Sequence, residues 1–329
     1  MLAAPAAAFA ARTDAVILRN GDHFTCEVIQ MRQGKLQVKT DDAGTISIEW
    51  DKIASLTTAD QYDVTMRDGS RRLGYFRPAI LPATTLVDAA GVSTSVPMPD
   101  IASFERIQKG FLQRLDGSFD LGGSYTQSSG IASLYFDLSA TFRRPSYAYA
   151  ASLSTNLTRQ PEAEDTSRYS ADVSYTRFRD SGWLVSALGL FERNRDLGFA
   201  FRGTGAGTLG RYLARTRHTE LLAGGGLALG RETPVDASSV TNVDALLISA
   251  LSVFTYDYPT TRIDVQVLVF PSFDDPGRVR VNANGKFKRE IFRDFYVSVS
   301  AYDAFDNRPK SASATQNDVG ASLSFGWTF

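Results

Sequence analysis

Polar and apolar residues alternate strictly at the C-terminal end of the chain. Val319, Ala321, Leu323, Phe325, Trp327 and Phe329 interleave with Asp318, Gly320, Ser322, Ser324, Gly326 and Thr328. A period of two marks a strand with one apolar and one polar face. The same dyad sets Val279, Val281, Ala283, Gly285 and Phe287 against Arg278, Arg280, Asn282, Asn284, Lys286 and Lys288, and Ile263, Val265, Val267 and Val269 against Arg262, Asp264 and Gln266. Further strands are predicted at about 115–127, 131–143, 146–158, 167–179, 182–194, 197–213, 217–231, 242–256 and 294–306, about twelve in all. Alternation is poor near 182 and 242, so about ten or fourteen strands are alternatives.

Apolar-out, polar-in strands ending on an aromatic residue predict an antiparallel transmembrane β-barrel over residues 115–329, with Phe325, Trp327 and Phe329 as its C-terminal assembly signal. No apolar run approaches the roughly 18 residues of a helical span, and a bilayer otherwise admits only closed barrels. An even strand number returns both barrel ends to one side, expected to be periplasmic. Short turns are expected on that side near Arg144-Pro145, Asp180-Ser181, Asp257 to Thr260 and Glu290 to Arg293. Longer loops are expected opposite, at Gln160 to Thr166, Glu232 to Thr241 and Asn307 to Ala314.

The N-terminal part carries shorter alternating runs. Val16 and Leu18 lead into Asn20-Gly21, read as a type I′ hairpin turn, and Phe24, Cys26 and Val28 follow. Val64 and Met66 precede Asp68-Gly69 in the same way, and Ile53-Ala54-Ser55-Leu56 returns 48 residues later as Ile101-Ala102-Ser103-Phe104. Two copies of one small β-unit are implied. Each is too short to bury a core alone, so the pair is expected to form one SH3-like or sandwich unit over residues 14–107. Ahead of it, residues 1–11 read as the remnant of a secretory signal peptide, with Ala8-Phe9-Ala10 as cleavage site; a disordered Ala-rich tail is the alternative.

Composition adds mainly exclusions. A formal net charge of -1 lacks the basic stripe of a nucleic-acid binder. The single Cys26 cannot form an intramolecular disulfide and lies outside a lipoprotein context, so it is read as an inert strand thiol. His23 and His218 are the only histidines. His23 falls in a predicted hairpin turn and His218 at the predicted periplasmic end of a strand, away from the outer rim where barrel hydrolases place a base beside a nucleophile. Gly203-Thr204-Gly205-Ala206-Gly207 and Gly224-Gly225-Gly226 are not followed by a helix that would point at a phosphate, so they read as sites of close backbone approach. Glu162, Glu164 and Asp165, and Asp274-Asp275-Pro276-Gly277, read as solvated loops in preference to a divalent-cation site. No catalytic set, cofactor site or metal site is expected.

Three stretches resemble the bacterial outer-membrane proteins grouped as domain of unknown function 481, the YdiY-like proteins. One runs from Val16-Ile17-Leu18-Arg19-Asn20-Gly21-Asp22 through Gly34-Lys35-Leu36 and Thr40 to Trp50, with Ile53. Another is Gly117 to Ser129, similar to that family's first barrel strand. The third is Phe305-Asp306-Asn307-Arg308-Pro309 with Asn317-Asp318 and Gly326-Trp327-Thr328-Phe329. Cys26 stands where the family usually has Gly, and Ser128-Ser129-Gly130 where Ser-Gly-Asn is commoner. The resemblance implies fold and an outer-membrane location, and carries no catalytic activity.

Two non-enzymatic functions remain open. The barrel is a small channel or solute-binding barrel, with a lumen lined by Arg278, Arg280, Lys286 and Lys288 on one strand and Asp264, Asp116, Asp120, Asp137, Asp172, Arg143 and Arg202 on others. Alternatively it is an envelope anchor or adaptor that presents the periplasmic β-unit to a partner. An outer-membrane hydrolase would need a rim nucleophile that the sequence does not display. Expected partners are outer-membrane lipid, the barrel assembly machinery, and a periplasmic protein or small solute. Opposed charges in the lumen either leave unpaired cations that attract anions or pair off and plug it.

Overall fold

A computed structural model describes residues 13–68, 70–79, 83–107, 115–126, 131–144, 146–160, 166–179, 182–195, 197–236, 238–255, 260–292, 294–311 and 314–328. Residues 1–11, read above as a signal-peptide remnant, the acidic loop 162–165, Ser128-Ser129-Gly130 and Phe329 lie outside them. Contacts divide the chain into two compact units, residues 1–108 and 109–329.

In the first unit ten strands follow one another: β1 (Asp14–Leu18), β2 (His23–Arg32), β3 (Lys35–Lys39), β4 (Thr45–Glu49), β5 (Ile53–Thr57), β6 (Tyr62–Met66), β7 (Arg71–Arg77), β8 (Ala83–Val87), β9 (Ser93–Pro97) and β10 (Ile101–Arg106). Single 3-10 turns at Trp50–Lys52 and Met98–Asp100 precede β5 and β10. Pairing in the first five strands is β1-β2-β3-β4 with β5 on β1; in the second five it is β6-β7-β8-β9 with β10 on β6. The two halves therefore have one topology, an SH3-like five-strand meander closed by its last strand. They interlock, because β10 pairs with β2 through Phe104 and Met31, while Thr58, just after β5, accepts and donates hydrogen bonds with Phe76 of β7.

The turn after β1 differs from the expected type I′. That turn requires positive φ at both central residues, and of Asn20 and Gly21 only Gly21 has it, at 93°. Gly21 N–H donates to the Leu18 carbonyl, and the Asn20 side chain bonds Asp22. The connection is thus a tight turn followed by a left-handed glycine. His23 is the first residue of β2, opposite Ile17.

The second unit is a closed barrel of twelve antiparallel strands: β11 (Leu115–Thr126), β12 (Ile131–Arg143), β13 (Tyr147–Arg159), β14 (Thr166–Phe178), β15 (Trp183–Asn194), β16 (Phe199–Arg215), β17 (Thr219–Pro234), β18 (Val240–Thr255), β19 (Thr261–Pro271), β20 (Val279–Phe292), β21 (Phe295–Asp306) and β22 (Asn317–Thr328). The segments near 182 and 242 are regular strands, so the alternatives of fewer or more strands fall away. β22 closes onto β11 through Phe119 opposite Trp327 and Leu121 opposite Phe325. The strands, 11 to 17 residues long, reach or exceed the roughly 9–11 residues needed to cross a bilayer. Their outward residues include Leu134, Val173, Leu209, Leu227, Val265, Val299 and Leu323, all exposed, which is the surface a hydrocarbon environment requires.

Glycine lets the barrel wall bend. A Cβ at Gly226 would stand 1.9 Å from the Gly207 carbonyl oxygen, and one at Gly224 would stand 2.7 Å from that of Leu209. The glycine runs of β16 and β17 are therefore places of close backbone approach. Two further glycines receive aromatic rings from the neighbouring strand. Tyr302 lies over Gly320 and Tyr296 over Gly326, each pair directly opposite in the β21–β22 register, an arrangement that shields a strand glycine and pins the register.

Candidate functional site

The inward face of the barrel carries its chemistry. Because β15 to β22 place even-numbered residues inward, Glu192, Arg202, Glu232, Asp244, Arg280 and Asp306 all project into the lumen near the strand ends remote from the start of β11 and the end of β22. Arg278, immediately before β20, joins them and is fully buried. Its guanidinium donates through Nη2 to Asp306 at 2.5 Å and to Glu232 at 3.1 Å. Arg202 donates to Glu232 at 3.2 Å and lies 3.8 Å from Asp306. Arg280 pairs with Asp244 and stacks over Phe270.

These contacts cross the lumen. β16 and β21 are five strands apart around the ring, yet Arg202 and Asp306 meet. Asn282 of β20 reaches Glu192 of β15 at 3.3 Å, and Asn194 of β15 reaches Asp318 of β22 at 2.5 Å. Arg168 of β14 sits 3.8 Å from the Tyr302 ring centre and 3.5 Å from Asp318. Buried charges at this density persist only when paired, and here three guanidinium groups (Arg202, Arg278, Arg280) face four carboxylates (Glu192, Glu232, Asp244, Asp306). The result is a plug of ion pairs in the loop-side half of the barrel.

The sequence-derived lumen residues divide accordingly. Arg202, Arg278 and Arg280 belong to the plug. Lys286 lies toward the other end and bonds Asp120 at 2.6 Å and Asp137 at 3.2 Å, so those three form a separate cluster, completed by the Tyr296 and Ser298 hydroxyls on Asp120. Asp264 accepts from Ser252 and from Arg262 on its own strand, and no ion pair joins it to a β20 cation among the described residues. Lys288 lies on the face of Tyr296, 3.6 Å from its centre, and Arg143 stacks on Phe178. Of the four cations at 278–288, Arg278, Arg280 and Lys286 are ion-paired, while Lys288 has no ion pair among the described residues.

Glu192, Glu232, Asp244, Asp306, Asp318 and Arg168 were not singled out from the sequence as lumen residues. Glu232 in particular falls in a predicted outer loop, whereas β17 continues through Pro234 and buries it. Their shared inward parity was the available signal. Outside the barrel wall, Asp274 accepts the Val243 N–H at 2.5 Å. Asp275 is held below the usual carboxylate range by its hydrogen bond from Lys310, with Arg308 adding to the effect. Both acids are engaged with the protein, and no cluster with metal-ligand character occurs among the described residues. His218 lies in the turn before β17, its carbonyl accepting Phe254 N–H. The assembly-signal residues Phe325 and Trp327 face outward.

Beside the plug the lumen keeps a cavity of about 270 Å³, walled by β14 to β20. One side is aliphatic, from Leu184, Leu188, Leu190, Leu222, Ile248 and Leu268. The other is polar, with Ser170, Asp172, Ser174, Thr176, Asn282 and Asn284. Gly210 and Gly224 lie in its wall, where a side chain would fill it.

The model of a family described as "Protein of unknown function, DUF481" matches residues 120–329. The chain belongs to the DUF481 family. No curated protein matches this DUF481 chain. Among solved structures it is similar to the NanC porin in a rhombohedral crystal form, at 10% identity and a TM-score of 0.41, covering 65% of this chain and 98% of that one. It is also similar to the beta domain of the Bordetella autotransporter BrkA, at 11% identity and a TM-score of 0.32, covering 65% of this chain and 97% of that one.

Proposed function

We propose that this DUF481 protein is a non-enzymatic outer-membrane anchor: a closed barrel that holds the duplicated SH3-like unit in the periplasm, where it meets a periplasmic protein. The observation that carries this reading is the set of side chains meeting across the lumen, Arg202 with Asp306 foremost. Twelve strands enclose only moderately more space than the eight-stranded barrels that side chains fill, so paired arginines suffice to obstruct it. The outward apolar face supports this location, as does the even strand number, which brings the start of β11 and the end of β22 to one end. The longest connections, 272–278 and 307–316, lie at the opposite end, as extracellular loops do.

Recording from the purified protein in planar bilayers tests the anchor directly. It is expected to give no unitary current, and steady ion-selective conductance would replace the anchor by a channel. Protease added to intact cells is expected to spare residues 13–107 and to reach them once the outer membrane is permeabilised. The cavity beside the plug favours a second role for the same barrel, the binding of a small solute without passage.

A further inference from the structure

Inward carboxylates of the barrel are matched with cations almost throughout. Asp120 and Asp137 share Lys286, Asp244 takes Arg280, Asp306 takes Arg278, Glu232 takes two arginines and Asp264 takes Arg262. Asp172 departs from this pattern. Among the described residues no cation lies in ion-pair range of it, and its hydrogen bond comes from the Ser152 hydroxyl. It is also a wall residue of the lumenal cavity.

The β14–β15 register explains what surrounds it. Asp172 stands opposite Leu190, Ser174 opposite Leu188 and Ser170 opposite Glu192. One strand pair therefore sets a carboxylate beside an aliphatic wall, with a second carboxylate one inward position away. Glu192 keeps only a long 3.9 Å approach to Arg202 besides its bond from Asn282.

We propose that this cavity binds a small organic cation, a primary ammonium carried on a compact apolar body. The ammonium supplies the countercharge that Asp172, half-buried in the wall, lacks among the described residues, and a carboxylate partly withdrawn from water gains from such a partner. The apolar body covers the leucine wall. An anion would meet Asp172 and Glu192, since Arg168, the cation of the wall, is already engaged by Asp318 and the Tyr302 ring; a wholly apolar molecule would leave the serines and asparagines uncovered, and a sugar would find no aromatic ring among the wall residues to stack on. The volume of about 270 Å³ stands at the small end of ligand pockets, which suits a molecule of roughly ten non-hydrogen atoms. Entry is from the end of the barrel where β11 begins and β22 ends. The plug crosses the other end, whereas the cavity extends to Thr176 and Leu184, which lie within two residues of the β14 and β15 ends at that side.

The inference deepens the solute-binding role and is read out by binding, so the presence or absence of current leaves it standing or falling on its own. The full chain in lipid nanodiscs is titrated calorimetrically with 2-phenylethylammonium, 2-phenylethanol and phenylacetate, with empty nanodiscs subtracted. Saturable binding is expected for the ammonium, with the alcohol at least about tenfold weaker and the carboxylate not bound. Asp172→Asn is expected to weaken the ammonium about tenfold and leave the alcohol unchanged. Leu188→Trp, which keeps the carboxylate and fills the cavity, is expected to abolish binding; it decides the matter should the Asn variant fail to assemble. Equal affinity for ammonium and alcohol, an unaffected Asn variant, an unaffected Trp variant, or no saturable binding to the folded protein each overturns the proposal.

Discussion

The indole Nε1 of Trp50 donates a 3.0 Å hydrogen bond to the carbonyl of Met98, the residue that occupies its own place in the second copy of the repeat. Equivalent positions 48 residues apart thus touch, which puts the contact on the axis relating the two halves. Trp50 also packs edge-on against Phe104, and Phe104 against Tyr62 and Phe76, so four aromatic rings from both copies make one core. Removing the indole leaves a cavity at the join and strands the Met98 carbonyl. Trp50→Ala is expected to cost the isolated segment 13–107 about 3–5 kcal/mol in urea unfolding followed by circular dichroism. A wild-type segment that is already unfolded would show that the unit depends on the barrel.

Asp14 gives the same unit a pH dependence. It is buried, and burial pushes its carboxyl above the usual value, only partly offset by the N–H groups of Ala59 and Val28 that it accepts. A carboxyl raised in the folded state favours folding when protonated. Its contribution is complete below the unfolded value and declines as pH rises through the folded one. The stability of wild type relative to Asp14→Asn should therefore increase as pH falls from 7 toward 4. A difference that stays flat, or shrinks on acidification, contradicts the assignment.

The plug predicts unequal costs for its members. Asp306→Ala leaves Arg278 with one carboxylate and removes the cross-lumen partner of Arg202, so the barrel should lose about 3–5 kcal/mol, read as a lower temperature for loss of the compact electrophoretic form. Lys288→Met removes a cation that rests on Tyr296 without an ion pair among the described residues, and should cost about 1 kcal/mol or less. Equal losses in both variants would mean that pairing does not set the stability of this face.

At the β21–β22 seam, a Cβ on Gly326 would lie 2.4 Å from the Tyr296 ring. Gly326→Val should impair assembly by overpacking worth about 1–3 kcal/mol, and Tyr296→Ala in the same chain should restore part of it. Additive damage in the double variant would show that the clash is not the cause.

On the lipid face, Leu227 is exposed and lies near the middle of β17. Leu227→Arg is expected to destabilise the folded barrel by about 2–4 kcal/mol, against near-neutral behaviour for Leu227→Phe, measured by refolding into vesicles. Indifference to the arginine would argue that this face does not meet hydrocarbon.

Period-two alternation in Val319 to Phe329 and in residues 278–288 made the barrel and its inward parity legible in the chain alone, because strand faces are a local property of sequence, and the return of Ile53 to Leu56 as Ile101 to Phe104 did the same for the repeat of 48. The turn at Asn20-Gly21 was misread because Asn-Gly suits more than one tight turn, and the pairing of the flanking strands selects among them. Parity likewise says that Arg278, Arg280, Lys286 and Asp264 share the lumen, but not which meet. That choice depends on strand stagger around a closed ring, which brings β16 beside β21 and β14 beside β22 across the interior. Thus Lys286 found Asp120 and Asp137 four or fewer strands away instead of Asp264 next door, and Glu232, read as loop, became a buried acceptor for two arginines. The lone carboxylate of Asp172 against Leu190 arises from the same cause, since only the closed barrel determines which charges are left without a partner.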